Sequence, residues 1–129
     1  MAVSDEYLVF VSDQLSRLGS ITIRRMFGAA GIYCEGHFFA IVDDDMLYFK
    51  VNDSNRSDYE AAGMEPFTYM VDNKETVMSF YEVPIDVLEN KEKMRLWAMK
   101  AIDVAQAAKK MARRKKKTKT LRTKRKKSQ

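Results

Sequence analysis

Cys34 and His37 are the only cysteine and the only histidine in the chain, at a spacing that two zinc ligands can use. A structural zinc site needs four ligands, so a pair flanking a tight turn is a weak case for a metal. Cys-His nucleophilic catalysis is also disfavoured, because no third residue is evident that would orient the histidine. We interpret the pair as residues of a hairpin and expect neither a metal nor a cofactor.

Asp43, Asp44 and Asp45 form a run of carboxylates, the ligand type that magnesium and calcium prefer. A loop this short offers few other oxygens, and aspartates are common in turns. We interpret the run as a solvated hairpin turn. A third interpretation is that these carboxylates help to dock the chain's own basic end.

Phe27, Gly28 and Gly31 have the composition of a ligand loop. A phosphate-binding loop is excluded, because neither a lysine nor a helix start follows the glycines. We expect a turn in which the glycines adopt positive φ and the aromatic ring packs beneath it. Arg24 and Arg25 precede this turn, and strand geometry sends one towards solvent and the other towards the rest of residues 1–108, which carry a net negative charge. These two arginines could form surface ion pairs, or they could contact nucleic acid or a partner protein.

Aromatic residues are dense enough in the centre of the chain to raise the possibility of a base-stacking sheet. They are Tyr33, Phe38, Phe39, Tyr48, Phe49, Phe67, Tyr69, Phe80 and Tyr81. Strand alternation buries about half of such residues in any case, and an acidic body repels phosphate. We therefore do not expect RNA to stack on the sheet.

Positive charge is concentrated at the C-terminus. Residues 109–129 hold 13 of the 23 basic residues and no acidic residue, so residues 1–108 keep 10 basic and all 18 acidic residues, a net charge of −8. The cations are Lys109, Lys110, Arg113, Arg114, Lys115, Lys116, Lys117, Lys119, Arg122, Lys124, Arg125, Lys126 and Lys127. Lysine and arginine bind phosphates by counterion release, which is blind to base sequence. We expect these residues to bind DNA or RNA non-specifically.

The alternatives for this basic segment are an acidic protein partner, an anionic membrane surface and plain solubilisation. Leu121 is its only large apolar residue after Met111, so it lacks the anchors of a membrane-lying helix. We expect no membrane association. The single cysteine excludes an intramolecular disulfide, and an acidic N-terminus is unlike a signal peptide. These features favour a cytoplasmic protein.

The coarse pattern predicts helix, strands, helix, strands and helix, which is an α+β domain with helices packed on an antiparallel sheet meander. The predicted helices cover residues 4–18, 56–62 and 85–111, and the predicted strands cover 21–26, 31–34, 37–42, 46–51, 66–70 and 77–83. Met94, Trp97, Ala98, Ala101 and Ala105 should line the buried face of the last helix. We expect one domain over residues 1–108, followed by a disordered Lys/Arg-rich tail over residues 109–129.

Residues 25–33, with the sequence RMFGAAGIY, resemble the signature of the TfoX N-terminal domain family, the domain of the TfoX/Sxy regulators of competence genes. The resemblance continues through GHFFA at 36–40, LYFK at 47–50, AAGMEPFTY at 61–69 and SFYEVP at 79–84. It implies a small α+β domain with an antiparallel sheet, related in shape to secretion-chaperone-like folds. It also implies a bacterial, transcription-related protein without known chemistry.

Two departures from the family pattern stand out. Full-length TfoX/Sxy regulators carry a second, helical domain, whose place is taken here by the basic segment. Ala29 stands where the family usually has a second glycine. We therefore expect a non-enzymatic regulatory protein whose domain contacts another protein and whose tail holds nucleic acid. The other hypothesis is a protein-interaction or chaperone-like domain whose tail docks on an acidic partner.

Overall fold

A computed structural model describes residues 3–127, with side chains described as far as residue 114. Its helices are α1 (Asp5–Gln14), α2 (Arg56–Ala61), α3 (Ile85–Leu88) and α4 (Lys91–Lys127), and a short 3₁₀ turn follows α1. Its strands are β1 (Thr22–Met26), β2 (Ala29–Cys34), β3 (His37–Asp43), β4 (Met46–Lys50), β5 (Pro66–Val71) and β6 (Lys74–Glu82). The predicted α+β class and the predicted order of elements are confirmed, except that the one helix predicted over residues 85–111 is two helices, α3 and α4.

All six strands form one sheet, in the order β1-β2-β3-β4-β6-β5, and every neighbouring pair is antiparallel. The first four strands follow one another as the predicted meander. The last two do not, because β6 pairs with β4 and leaves β5 at the outer edge. The connection through α2 is long enough to place β5 there, since only a two-residue turn requires the next strand to be adjacent.

Four hairpins join consecutive strands through two-residue turns in which both residues have positive φ. These residues are Phe27 and Gly28, Glu35 and Gly36, Asp44 and Asp45, and Asp72 and Asn73. Positive φ at both positions is the requirement of the type I′ turn, whose twist matches the twist of the flanking strands. Glycine, asparagine and aspartate tolerate this geometry, whereas a phenylalanine there is unusual.

The main core lies between one face of the sheet and helices α1 and α4. Phe39 and Phe49 are fully buried on this face, with ring centroids 5.8 Å apart. The small side chains of Ala98 and Ala101 on α4 are fully buried as well, and they let the helix approach the sheet closely. With Met94 and Ala105 also in the core, the predicted buried face of α4 is confirmed for four of its five residues.

Trp97 is the exception on that face. Sequence spacing predicts an indole buried against the sheet, but Trp97 is only half-buried and its ring meets Tyr59 of α2. The apolar stripe of α4 is wide, and Trp97 lies at the border of the stripe next to α2. The expectation of an indole in the core is confirmed in part, because Trp97 packs against the main core but is not fully buried there.

Helix α4 continues from the core into the basic segment, and its backbone remains helical to Lys127. The segment contains neither glycine nor proline, and lysine and arginine have good helix propensity. Repulsion between like charges at i,i+4 opposes the helix. The disorder predicted for residues 109–129 in solution stays a prediction, which hydrogen exchange can measure.

Candidate nucleic-acid interface

The basic segment leaves the folded body at the level of the β2–β3 hairpin. Ala105 is the last residue of α4 that belongs to the core, and Ala107 and Ala108 are already exposed. Beyond them, every described side chain from Lys109 to Arg114 is exposed. Helix α4 thus presents its first cations to solvent beside the β2–β3 hairpin.

Of the 13 predicted nucleic-acid-binding residues, the structure places Lys109, Lys110, Arg113 and Arg114 on the exposed part of α4. The other nine lie outside the described side chains. They are Lys115, Lys116, Lys117, Lys119, Arg122, Lys124, Arg125, Lys126 and Lys127.

A cavity of about 440 Å³ lies where α4 passes the β2–β3 hairpin. Its lining consists of Glu35 and His37 from the hairpin and of Gln106, Lys109, Lys110 and Arg113 from α4. The four α4 residues follow one another at spacings of three, one and three, which places them on a single face of the helix. Sequence reasoning missed this site, because nothing local indicates that the hairpin meets this face.

The cations of the body are mostly neutralised by partners. Seven of its ten lysines and arginines form ion pairs, among them Arg17 with Glu92 at 2.9 Å and Lys100 with Asp58 at 2.9 Å. Hydrogen bonds from Arg95 and Arg17 lower the pKa of the Glu92 carboxyl. These pairs are exposed, so each contributes little to stability, but together they leave the body few uncommitted cations.

The two arginines before the first hairpin both have partners. Arg25 forms an ion pair with Asp5 and donates a hydrogen bond to the Val3 carbonyl at 2.9 Å. Arg24 lies over the ring of Tyr33, 5.4 Å from its centroid. The expectation that one of them lies near the acidic body is confirmed by Arg25.

Cys34 and His37 lie directly opposite each other across the β2–β3 hairpin. No group of three histidine, cysteine, aspartate or glutamate side chains within the described residues could hold a metal ion. Burial, and to a smaller extent the charge of Glu35, raises the pKa of the Cys34 thiol. A raised pKa reduces the thiolate fraction, which is the opposite of what nucleophilic catalysis needs.

The acidic turn between β3 and β4 is hydrogen-bonded to the N-terminal segment. Asp45 accepts hydrogen bonds from the Ser4 backbone amide and from the Ser4 hydroxyl, both at 2.9 Å. The Ser4 hydroxyl in turn accepts from the Tyr7 amide at 3.1 Å and so caps α1. The turn interpretation is confirmed for Asp44 and Asp45, and Asp45 docks Ser4.

The turn at Phe27 and Gly28 differs from the expectation in two ways. Gly28 has a φ of 79°, as expected, but Gly31 lies inside β2 without positive φ. A residue with a side chain does not fit at position 31 without a shift, because its Cβ atom would lie 3.0 Å from Cε1 of Phe38. The ring of Phe27 does not pack beneath the turn either, since the residue is fully exposed.

The second face of the sheet carries an aromatic cluster to which only strand residues contribute. Its buried members are Ile41, Phe67 and Phe80, with Phe38, Tyr48 and Met78 packed around them. Next to it lies a cavity of about 470 Å³. The cavity is lined by Met26, Phe27, Ala29, Ala30, Gly31, Phe38, Ile41, Asp43, Phe67, Tyr69 and Met78. Phe27 therefore stands exposed at the rim of a mostly apolar cavity.

Among the described residues, no helix is both long enough and apolar enough to cross a membrane. The family model described as the TfoX N-terminal domain matches residues 13–105, which is more than half of the chain. The match ends where the core face of α4 ends, just before the cavity cations. No curated protein matches the chain.

Proposed function

This chain belongs to the TfoX N-terminal domain family, and we propose that it is a non-enzymatic, cytoplasmic regulatory protein whose basic end binds nucleic acid. The binding is non-specific and takes place through the exposed cations of α4 from Lys109 onward. Family membership supports a TfoX/Sxy-like regulatory role, with transcription or competence as its setting. The basic segment supplies the contact with DNA or RNA.

The observation that carries this proposal is that the cations of the body are mostly paired with carboxylates, whereas those at the start of the basic segment are not. Most cations of the body are held in ion pairs, whereas Lys109, Lys110 and Arg113 form none with the described residues. Unpaired cations attract counterions, and a polyanion that displaces those counterions gains binding free energy from their release. The acidic body repels the same polyanion, so the approach is directed to the end of α4.

Lack of sequence preference follows from the side chains. Lysine and arginine on an exposed helix contact phosphates, and phosphate contacts position a protein without reading bases. Base reading needs a helix or ribbon that presents a specific donor and acceptor pattern in the major groove. The described part of the basic helix presents only ammonium and guanidinium groups, alanine and Met111.

The test compares the whole chain with a chain that ends after Ala108, using fluorescence anisotropy on a labelled duplex of arbitrary sequence. The cut removes no described core residue, because the core face of α4 ends at Ala105. We expect the shortened chain to melt at the same temperature and to lose DNA binding. Equal binding by the shortened chain would refute the proposal.

A second candidate function is protein binding, and Phe27 is the observation that favours it. A fully exposed aromatic ring in a turn with a φ of 51° carries backbone strain without contributing to the core. Exposed aromatic residues beside apolar cavities are typical anchors of protein interfaces. Arg24 and the Lys50 ammonium lie over rings of the same face, at 5.4 and 4.8 Å from Tyr33 and Phe80. A partner with acidic and apolar groups complements this face.

A photo-reactive amino acid at position 27 tests this second function in cells, with position 70 as the matched control. Met70 is exposed on β5 but does not line the cavity. A protein adduct that forms from position 27 only, and that survives replacement of the tail cations by glutamine, supports a binding face. Equal labelling from both positions counts against it.

A further inference from the structure

One border of the buried face of α4 changes from apolar to polar at Gln106. Ile102, one turn earlier, packs against the core. Gln106, Lys109, Lys110 and Arg113 continue the same face by four, seven, eight and eleven residues, so they point to the same side of the helix. There they meet the β2–β3 hairpin and enclose the cavity of about 440 Å³ with it.

The charges around this cavity are not balanced. Glu35 is the one carboxylate among its lining residues, against three cations. Lys109, Lys110 and Arg113 form no ion pair or hydrogen bond with the described residues. Exposed cations of the body have paired, as Lys100 has with Asp58. The cavity thus concentrates positive charge that the protein does not neutralise.

His37 adds an imidazole to this lining. Its Nδ1 atom is buried and has no hydrogen-bond partner among the described residues. No described residue forms a hydrogen bond with the other ring nitrogen, Nε2, either. The protein therefore does not fix which nitrogen carries the proton. Because Nδ1 is closed off from the cavity by its burial, it is Nε2 that can present an N–H to a ligand. Gln106 supplies an amide that can donate as well.

We propose that this cavity is a phosphate-binding pocket that seats one backbone phosphate of a nucleic acid against the folded body. Ammonium, guanidinium, amide and imidazole groups are the donors that bind phosphate oxygens. The proposal rests on the proposed function. It assigns a fixed position to one phosphate contact of the basic segment, whose other contacts are non-specific. The pocket cations act together on one phosphate, whereas the distal cations act as spread charge.

Two matched triple variants test this difference in the full chain. One replaces Lys109, Lys110 and Arg113 by glutamine, and the other replaces Lys124, Arg125 and Lys126 by glutamine. Each removes two lysines and one arginine, so both lower the net charge by three. We expect the pocket variant to lose about tenfold more affinity for duplex DNA than the distal variant, equivalent to one charge-assisted hydrogen bond. Equal losses would overturn the pocket, because spread charge predicts no dependence on position.

Neutral substitutions separate the pocket from net charge. His37→Ala together with Gln106→Ala should weaken duplex binding by several-fold, while Ala107→Gln on the neighbouring face of α4 should not change it. Thermal melts check that each variant is folded. If the His37 and Gln106 substitutions change nothing in a folded protein, the body does not take part in phosphate binding.

His37 also gives a test that does not depend on DNA. As the only histidine, it has a single pair of imidazole carbon-bound proton signals, which can be followed by NMR during titration with pyrophosphate. We expect saturable shifts in the parent and none in the Lys109, Lys110 and Arg113 variant. If these shifts occur but the chain does not bind duplex, the pocket stands, with free phosphate compounds as its source, and the proposed function fails. If the chain binds duplex but neither duplex nor pyrophosphate shifts His37, the function stands and the pocket fails.

Discussion

The indole of Trp97 meets the ring of Tyr59 nearly edge-on, with ring centroids 4.8 Å apart and an interplanar angle of 79°. This contact joins α4 to α2, and the ion pair between Lys100 and Asp58 at 2.9 Å joins the same two helices one turn further along. Tyr59 is buried at 1% exposure, and burial raises the pKa of its hydroxyl group. The half-buried indole thus covers one side of a core residue.

Trp97→Ala should destabilise the domain by about 2–3 kcal/mol, below the range for a fully buried tryptophan, because part of the indole already faces water. Trp97→Phe keeps a ring against Tyr59 and should lose about half as much. Urea denaturation followed by circular dichroism measures both. A loss below about 0.5 kcal/mol for the alanine variant would mean that the contact contributes little to the fold.

Gly31→Ala should destabilise the sheet by about 1–3 kcal/mol through crowding, because the new Cβ would lie 3.0 Å from Phe38 Cε1 and 3.2 Å from Met26 Cε. Phe38→Leu makes room at this point. The double variant should therefore lose less than the sum of the two single losses, as a double-mutant cycle shows. Gly28→Ala serves as the control, since its cost comes from a φ of 79° and Phe38→Leu should not relieve it.

Phe27→Asn should stabilise the domain by about 0.5–1 kcal/mol. Asparagine followed by glycine is the preferred sequence of the type I′ turn, and the exposed ring gives up no core contact. Thermal or urea denaturation of the two proteins measures the difference. A clear destabilisation would show that the ring packs on the domain, as the sequence alone predicts.

The Cys34 thiol should react with iodoacetamide at pH 8 several-fold more slowly in the folded protein than in guanidinium. Burial raises its pKa, so at a given pH a smaller fraction is thiolate, which is the reactive form. The charge of Glu35 contributes to the same shift, so Glu35→Gln should speed the reaction modestly. Equal rates in the folded and unfolded states would contradict the shift.

Salt dependence should report how many cations meet phosphates. If about six of them do, the logarithm of the association constant should fall with the logarithm of salt concentration at a slope of about −5 on duplex DNA. The slope on a single strand should be about −4, because single strands condense fewer counterions. Anisotropy titrations between 50 and 200 mM salt are sufficient. A slope near zero with retained binding would indicate a contact that is not electrostatic.

Local signals in the sequence were enough for the family, the α+β class, the order of elements and the placement of most turns. Each depends on residues close together in the chain, such as Ser4 before α1 or Gly28 and Gly36 in tight turns. The separation of charge at Lys109 was also readable directly, because net charge is a sum over residues and needs no fold.

Tertiary structure decided everything that depends on which distant residues become neighbours. The exchange of β5 and β6 follows from the connection through α2, and the crowding at Gly31 follows from the register that places Phe38 beside it. The cavity between His37 and Arg113 exists only because α4 crosses the β2–β3 hairpin. Hydrophobic periodicity tells which face of an element is buried, but it carries no information about the partner of that face.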